Sequence, residues 1–194
     1  SQMLRNGSDN TIYLAQGNYA TGFYSYSISG NTWNTLAAVP ASVSYGAQMI
    51  RNGSDNTIYL AVGYATGYFY SYSISNNTWT TLASVPWDVS DGAQMIRNGS
   101  DNTIYLAIGG TLTNFYSYSI SGNTWTTLGA VPTAVYIGAQ MLRNGSDNMI
   151  YLVTGSDTSF WSYSISGNTW TTLAVVPGVV GAGAQMLRNG SDNT

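Results

Sequence analysis

The sequence predicts an all-β protein assembled from near-identical four-stranded antiparallel units, and three observations carry that prediction. The first is internal repetition. The stretch from Gly46 to Pro86, GAQMIRNGSDNTIYLAVGYATGYFYSYSISNNTWTTLASVP, recurs almost letter for letter, with Trp33, Trp79, Trp125 and Trp170 marking the beat at spacings of 46, 46 and 45 residues. A period of this length denotes a solenoid, a propeller or an array. The second is alternation with period two. Ile58, Leu60 and Val62 alternate with Tyr59 and Ala61, and Tyr70, Tyr72 and Ile74 share one side of the next segment, which is the pattern of strands, not helices. The third is the shortness of the connections, which forces neighbouring strands to run antiparallel. A four-stranded meander repeated at this period is a propeller blade. The predicted fold class is therefore all-β: a β-propeller of four-stranded antiparallel blades, four in this chain plus one surplus inner strand.

Each unit reads in the same order. GAQMIR (46–51) is a short apolar strand that runs into RNGSDN, a cluster of turn formers. TIYLAV (57–62) is the second strand, GYATG (63–67) a loop, and YFYSYSI (68–74) the third strand. SNNT is a tight turn, Trp79 to Leu82 is the fourth strand, and Pro86 is expected to stop it. In the first strand alternation sends Ala47 and Met49 one way and Gln48 and Ile50 the other. Apolar residues on both faces mean that a unit cannot bury itself alone and must stack on its neighbours. The blades run over residues 1–45, 46–91, 92–137 and 138–182 of a single repeat domain, with 183–194 as the extra inner strand and turn. Residues 2–11 and 185–194 are identical, QMLRNGSDNT. Three closures are compatible with that duplication: further blades of a longer chain, a homodimer completing an eight-bladed ring, or four blades closing alone.

The pattern IYLAxG, a loop, YSYSISxNTW and TTLxxVP resembles the kelch repeat in all four units. Tyr72, Trp79, Leu82 and Pro86 stand where that family places its marks. The glycine pair of the family survives only as Gly109-Gly110, and the residue after the tyrosine is Ser27, Ser73, Ser119 or Ser164 instead of Asp. The resemblance implies that GAQMIR lies nearest the propeller axis. It does not imply one function, because the fold hosts many. Near-identity of the blades fits recent natural amplification or symmetric design.

Composition narrows the chemistry. Charged residues are only 7%, against roughly 25% in ordinary soluble domains. Lys, Glu, His and Cys are all absent, so the eight acidic groups are Asp and the five basic ones Arg. Thiolate and imidazole chemistry, Schiff bases and paired-Glu catalysis are thereby excluded. The copper site of galactose oxidase, which sits on a kelch-type propeller, needs His and a Cys–Tyr crosslink; the sialidase site needs Glu. The reading is not an enzyme, with no cofactor and no metal. A net charge of −3 argues against nucleic acid, and no apolar run is long enough for a membrane span. A surface of Ser, Thr, Asn and Tyr suggests an extracellular or cell-surface protein.

Variation is concentrated at one end of the blades. The second-to-third loops (GNYATG, GYATG, GGTLTN, GSDTS) and the inter-blade links (ASVSY, WDVSD, TAVYI, GVVGA) differ, while RNGSDN never does. Loops on a rigid scaffold commonly build binding faces, although neutral drift gives the same pattern. The candidate ligand-binding residues on this face are Tyr19, Tyr45, Tyr64, Trp87, Asp88, Asp91, Asn114, Tyr136 and Asp157. Flat rings suit sugars or protein partners. Asp88 and Asp91 alone are a thin start for a cation, which wants about six to eight oxygens. The structural candidates are the four tryptophans and the recurring pair Arg51 and Asp55, with its copies Arg5/Asp9, Arg97/Asp101, Arg143/Asp147 and Arg188/Asp192. N-x-[ST] sequons occur at Asn6, Asn52, Asn98, Asn144, Asn189 and Asn76. The function expected is a non-catalytic structural or interaction scaffold. The alternatives are a carbohydrate-binding propeller and a symmetric propeller without a natural ligand.

Overall fold

A computed structural model describes residues 1–5, 10–51, 56–64, 66–97, 102–143 and 148–187. These hold only strands, in four antiparallel sheets of four. The first blade is β1 (Gln2–Arg5), β2 (Thr11–Ala15), β3 (Phe23–Ser27) and β4 (Thr32–Thr35). The second is β5 (Gln48–Arg51), β6 (Thr57–Ala61), β7 (Phe69–Ser73) and β8 (Thr78–Thr81). The third is β9 (Gln94–Arg97), β10 (Thr103–Ala107), β11 (Phe115–Ser119) and β12 (Thr124–Thr127). The fourth is β13 (Gln140–Arg143), β14 (Met149–Val153), β15 (Phe160–Ser164) and β16 (Thr169–Thr172). Strand order follows chain order in every sheet, the meander expected of a propeller blade.

Register puts like with like. Met49 lies opposite Leu60, Leu60 opposite Tyr70, Ile58 opposite Tyr72, and Tyr72 opposite Trp79. One face of the blade is therefore a continuous apolar plate. The chain forms two compact units: Ser1–Asp91 with Ser121–Trp125, and Gly92–Ile120 with Thr126–Thr194.

In the first unit, Phe23 is fully buried between blades. Its ring centroid lies 4.8 Å from that of Tyr72 and 5.0 Å from that of Trp79. Tyr13, Val39 and Val43 of the first repeat join Ile58, Leu60 and Val62 of the second in the same cluster. Met49 and Ala47 enter that cluster from one side of β5, while Leu4, the counterpart of Ile50, enters from the opposite side of β1. The alternation predicted for the first strand is thus observed. In the second unit Phe115 takes the same place, 4.9 Å from Tyr163 and 5.1 Å from Trp170.

Hydrogen bonds fix the spacing of the plates. The indole Nε1 of Trp79 donates to the Ala37 carbonyl, that of Trp125 to Ala83, and that of Trp170 to Gly129, each at 2.8 Å. The neighbouring turn supplies a second tie. Asn77 Oδ1 accepts the Ala37 N–H and the Tyr72 hydroxyl, both at 2.8 Å. Asn168 Oδ1 does the same for Gly129 and Tyr163. Asn suits this place because the turn needs a left-handed residue, and Asn31, Asn77, Asn123 and Asn168 have φ of 49°, 51°, 48° and 49°. The link between blades has its own constraint at Gly46, where φ is +73° and a Cβ would run into the Ser90 carbonyl.

Three details differ from the sequence reading. β8, expected over Trp79–Leu82, runs Thr78–Thr81, one residue earlier at each end. Leu82 still donates to the Phe69 carbonyl, and the chain then leaves the ladder so that Val85 can donate to Gly67. The surplus segment, over its described residues 183–187, forms no strand. A strand needs a ladder partner, and among the described residues none is offered to it. Trp33 is 53% exposed, unlike its repeat counterparts Trp79, Trp125 and Trp170. The proposed Arg–Asp pairs lie outside the described residues on the Asp side, as do Arg188 and every sequon except that at Asn76. Arg51 itself stands over the Tyr13 ring, 5.9 Å from its centroid.

Burial raises the hydroxyl pKa of both Tyr72 and Tyr163 to about 12, with nearby Tyr13 and Tyr105 adding to the effect. A raised acid pKa contributes stability that is complete below the free phenol value and is lost as pH climbs towards the folded value. The melting temperature is therefore expected to fall between about pH 10 and 12, and Tyr72→Phe to blunt that fall. A midpoint unchanged across this window would contradict the burial assigned to these rings. With no His in the chain, no imidazole transition is expected in the neutral range.

Candidate functional site

The variable loop and the following link of each blade lie together, as their alternation along the meander requires. Ala20 bridges Val43, and Thr66 bridges Val89. Thr111 N–H donates to Val135 O, and Ser156 N–H to Val180 O. The link also reaches the next blade: Ser44 N–H donates to Val62 O and Tyr64 N–H to Tyr45 O. The candidate face is thus held by backbone ties at both ends of each loop.

In the first unit these ties gather three candidate aromatics. Tyr19, Tyr45 and Tyr64 are 45%, 60% and 54% exposed. Tyr19 packs edge to face on Tyr64 with centroids 4.6 Å apart, and on Tyr45 at 6.0 Å. Tyr19 and Tyr64 both sit at positive φ, 62° and 58°, so the turn backbone aims these side chains. Desolvation, followed by its hydrogen bond to Tyr64, raises the Tyr19 pKa. Ser44, beside this group, is buried, and its hydroxyl opposes that rise. Trp87 is 56% exposed on the second link, where Asp88 is exposed and Asp91 half-buried.

The candidates of the second unit are more self-contained. Asp157 Oδ1 accepts from Thr154 Oγ1 and the Ser159 N–H, and Oδ2 from Ser159 Oγ. This carboxylate organises its own loop. Asn114 donates to the Tyr116 hydroxyl at 3.1 Å. Tyr136 is 38% exposed, with its N–H held by Thr154 O. Among the described residues no three acidic groups gather as they would around a cation.

Sequence reasoning missed Tyr68, which is 52% exposed with its ring 6.4 Å from Tyr70. Its position varies as Gly22, Tyr68, Asn114 and Ser159. That variability is the signal that marked the other loop residues, Asn114 among them; only the second loop, drawn as GYATG (63–67), stopped one residue short of this position.

No family model and no curated protein matches the chain. A solved structure described as "Structure of YjhT", a β-propeller, matches with a TM-score of 0.69 at 17% sequence identity, covering 91% of this chain and 65% of that one. The chain therefore spans slightly less than two thirds of that protein, and the likeness is one of fold.

Proposed function

We propose that the chain is a non-catalytic interaction scaffold of kelch-like blades, acting outside the cell or at its surface, with the loop-and-link end as its contact face. The observation that carries this reading is the exposed group of Tyr19, Tyr45 and Tyr64, held edge to face on backbone that is itself tied to the sheets. Exposed aromatics on a rigid support lose little entropy when they are covered, which is why such rings anchor interfaces. The near-identical blades fit amplification of one unit, or its deliberate repetition.

Carbohydrate binding is the second reading, favoured by the open rings of Tyr45 and Trp87 beside the exposed Asp88. Sugar faces stack on such rings while carboxylates take the hydroxyls. A glycan array separates the two. The scaffold reading expects no signal from the wild-type chain. Binding that is abolished by Trp87→Ala or Tyr45→Ala would replace it with the lectin reading.

A further inference from the structure

The interior of the first unit shows what covers what. The Ile58, Leu60, Tyr70 and Trp79 face of the second blade is closed by Phe23, Val39 and Val43 of the first. The second unit repeats this arrangement, with Phe115, Val131 and Val135 against Ile150, Leu152 and Trp170. Each blade thus has a tryptophan face and a phenylalanine face, and the two are complementary.

Two such faces stand open. On the first blade, Ile12, Leu14, Tyr24 and Tyr26 are only half-buried, where their counterparts Ile58, Leu60, Tyr70 and Tyr72 are all buried. Among the described residues the Trp33 indole has no carbonyl acceptor. Asn31 Oδ1 already accepts the Tyr26 hydroxyl at 2.8 Å, as Asn77 does from Tyr72. On the fourth blade, Phe160, Val176 and Val180 are half-buried, whereas Phe23, Phe69 and Phe115 are fully buried. These residues line an apolar groove of about 290 Å³ together with Val153, Ala184 and Met186. Ala174 is exposed, whereas its counterparts Ala37, Ala83 and Gly129, which receive an indole, are half-buried.

We propose that these two faces are the halves of one head-to-tail junction whose occupant is a second copy of this chain. The first blade of one copy covers the fourth blade of the other. Trp33 then donates to the Ala174 carbonyl and Asn31 accepts the Ala174 N–H, repeating the ties at Ala37, Ala83 and Gly129. Two copies carry eight blades between them. Ala184 and Met186 hold on this groove the places that Ala47 and Met49 hold in the covered junction, so the incoming β1 meets a duplicate of itself. Whichever strand stays supplies the same side chains, because residues 2–11 and 185–194 are identical. This inference is independent of the contact face proposed above.

Native mass spectrometry and sedimentation at micromolar concentration are expected to show a dimer of the 194-residue chain. Trp33→Arg and Val180→Asp each spoil one face and leave the other intact. Each alone is expected to be monomeric, with affinity reduced roughly thirtyfold or more, as for loss of an interface anchor. Mixed in equal amounts they are expected to form a one-to-one pair, because one supplies a sound fourth blade and the other a sound first blade. Recombination also shows that both variants are folded. Trp33→Ala is the milder check and should weaken association in the same direction. A monomeric wild type, single variants that still self-associate, or a mixture that forms no pair would overturn the head-to-tail junction.

Discussion

Truncating Trp170 to alanine is expected to cost about 3–5 kcal/mol of stability. In a chain of this size that corresponds to a fall of roughly 6–20 °C in melting temperature. The indole lies 5.1 Å from the fully buried Phe115 and 5.0 Å from Tyr163, and its Nε1 donates to the Gly129 carbonyl. Removing it opens a cavity between two blades that are otherwise rigid plates, and leaves an acceptor without its donor. The same change at Trp33 is expected to cost no more than about 1 kcal/mol when measured at a concentration low enough to keep the chain monomeric. That ring is 53% exposed, and among the described residues its ring contact is Tyr26 of its own blade, at 5.0 Å. Sequence gives the two tryptophans the same role, so the contrast tests the neighbour and not the residue. Equal losses at the two sites would show that the wedge between blades is not what holds the indole.

That contrast also marks how far the sequence could be read. Strand alternation was legible because each strand has two faces and the apolar residues fall on fixed sides. The Ile58, Leu60 and Val62 set and the Ala47 and Met49 set meet in one cluster, as period two requires. The fourth strand was legible to within a residue: it was read as Trp79–Leu82 and runs Thr78–Thr81. The Val85 to Gly67 bond beyond it was not, because it depends on where the neighbouring loop lies. Identical blades also conceal position: nothing in TWNT around Trp33 says that no plate covers it. At the candidate site the residue types were readable, since Tyr19, Tyr45 and Tyr64 stand in variable segments. Their meeting was not, because it follows from left-handed turns at Tyr19 and Tyr64 and from a backbone bond between Tyr64 and Tyr45. Asp157 shows the converse. As a variable-loop acid it reads like a ligand group, yet Thr154 and Ser159 take up both its oxygens, in a loop one residue shorter than the others.

Asn77→Ala is expected to destabilise the first unit by about 2–4 kcal/mol, a large effect for an exposed turn residue. Three losses combine. Alanine at φ 51° incurs the left-handed penalty of about 1–2 kcal/mol. The Ala37 N–H loses its acceptor on the adjoining blade, where the bond is 2.8 Å. The hydroxyl of Tyr72, on a ring only 1% exposed, loses its acceptor, and an unsatisfied buried donor costs about 1–3 kcal/mol. Glycine separates these contributions. Asn77→Gly restores the backbone conformation and keeps both hydrogen-bond losses, so it should recover about 1 kcal/mol and no more. Thermal or denaturant unfolding of the two variants side by side is the measurement. Full recovery in the glycine variant would mean that the turn serves only its own backbone. Partial recovery means that one side-chain oxygen, reached by a tyrosine of its own blade and a peptide of the next, ties the repeats together. The same atom recurs at Asn168 in the second unit, and there the same ordering of alanine below glycine below wild type is expected.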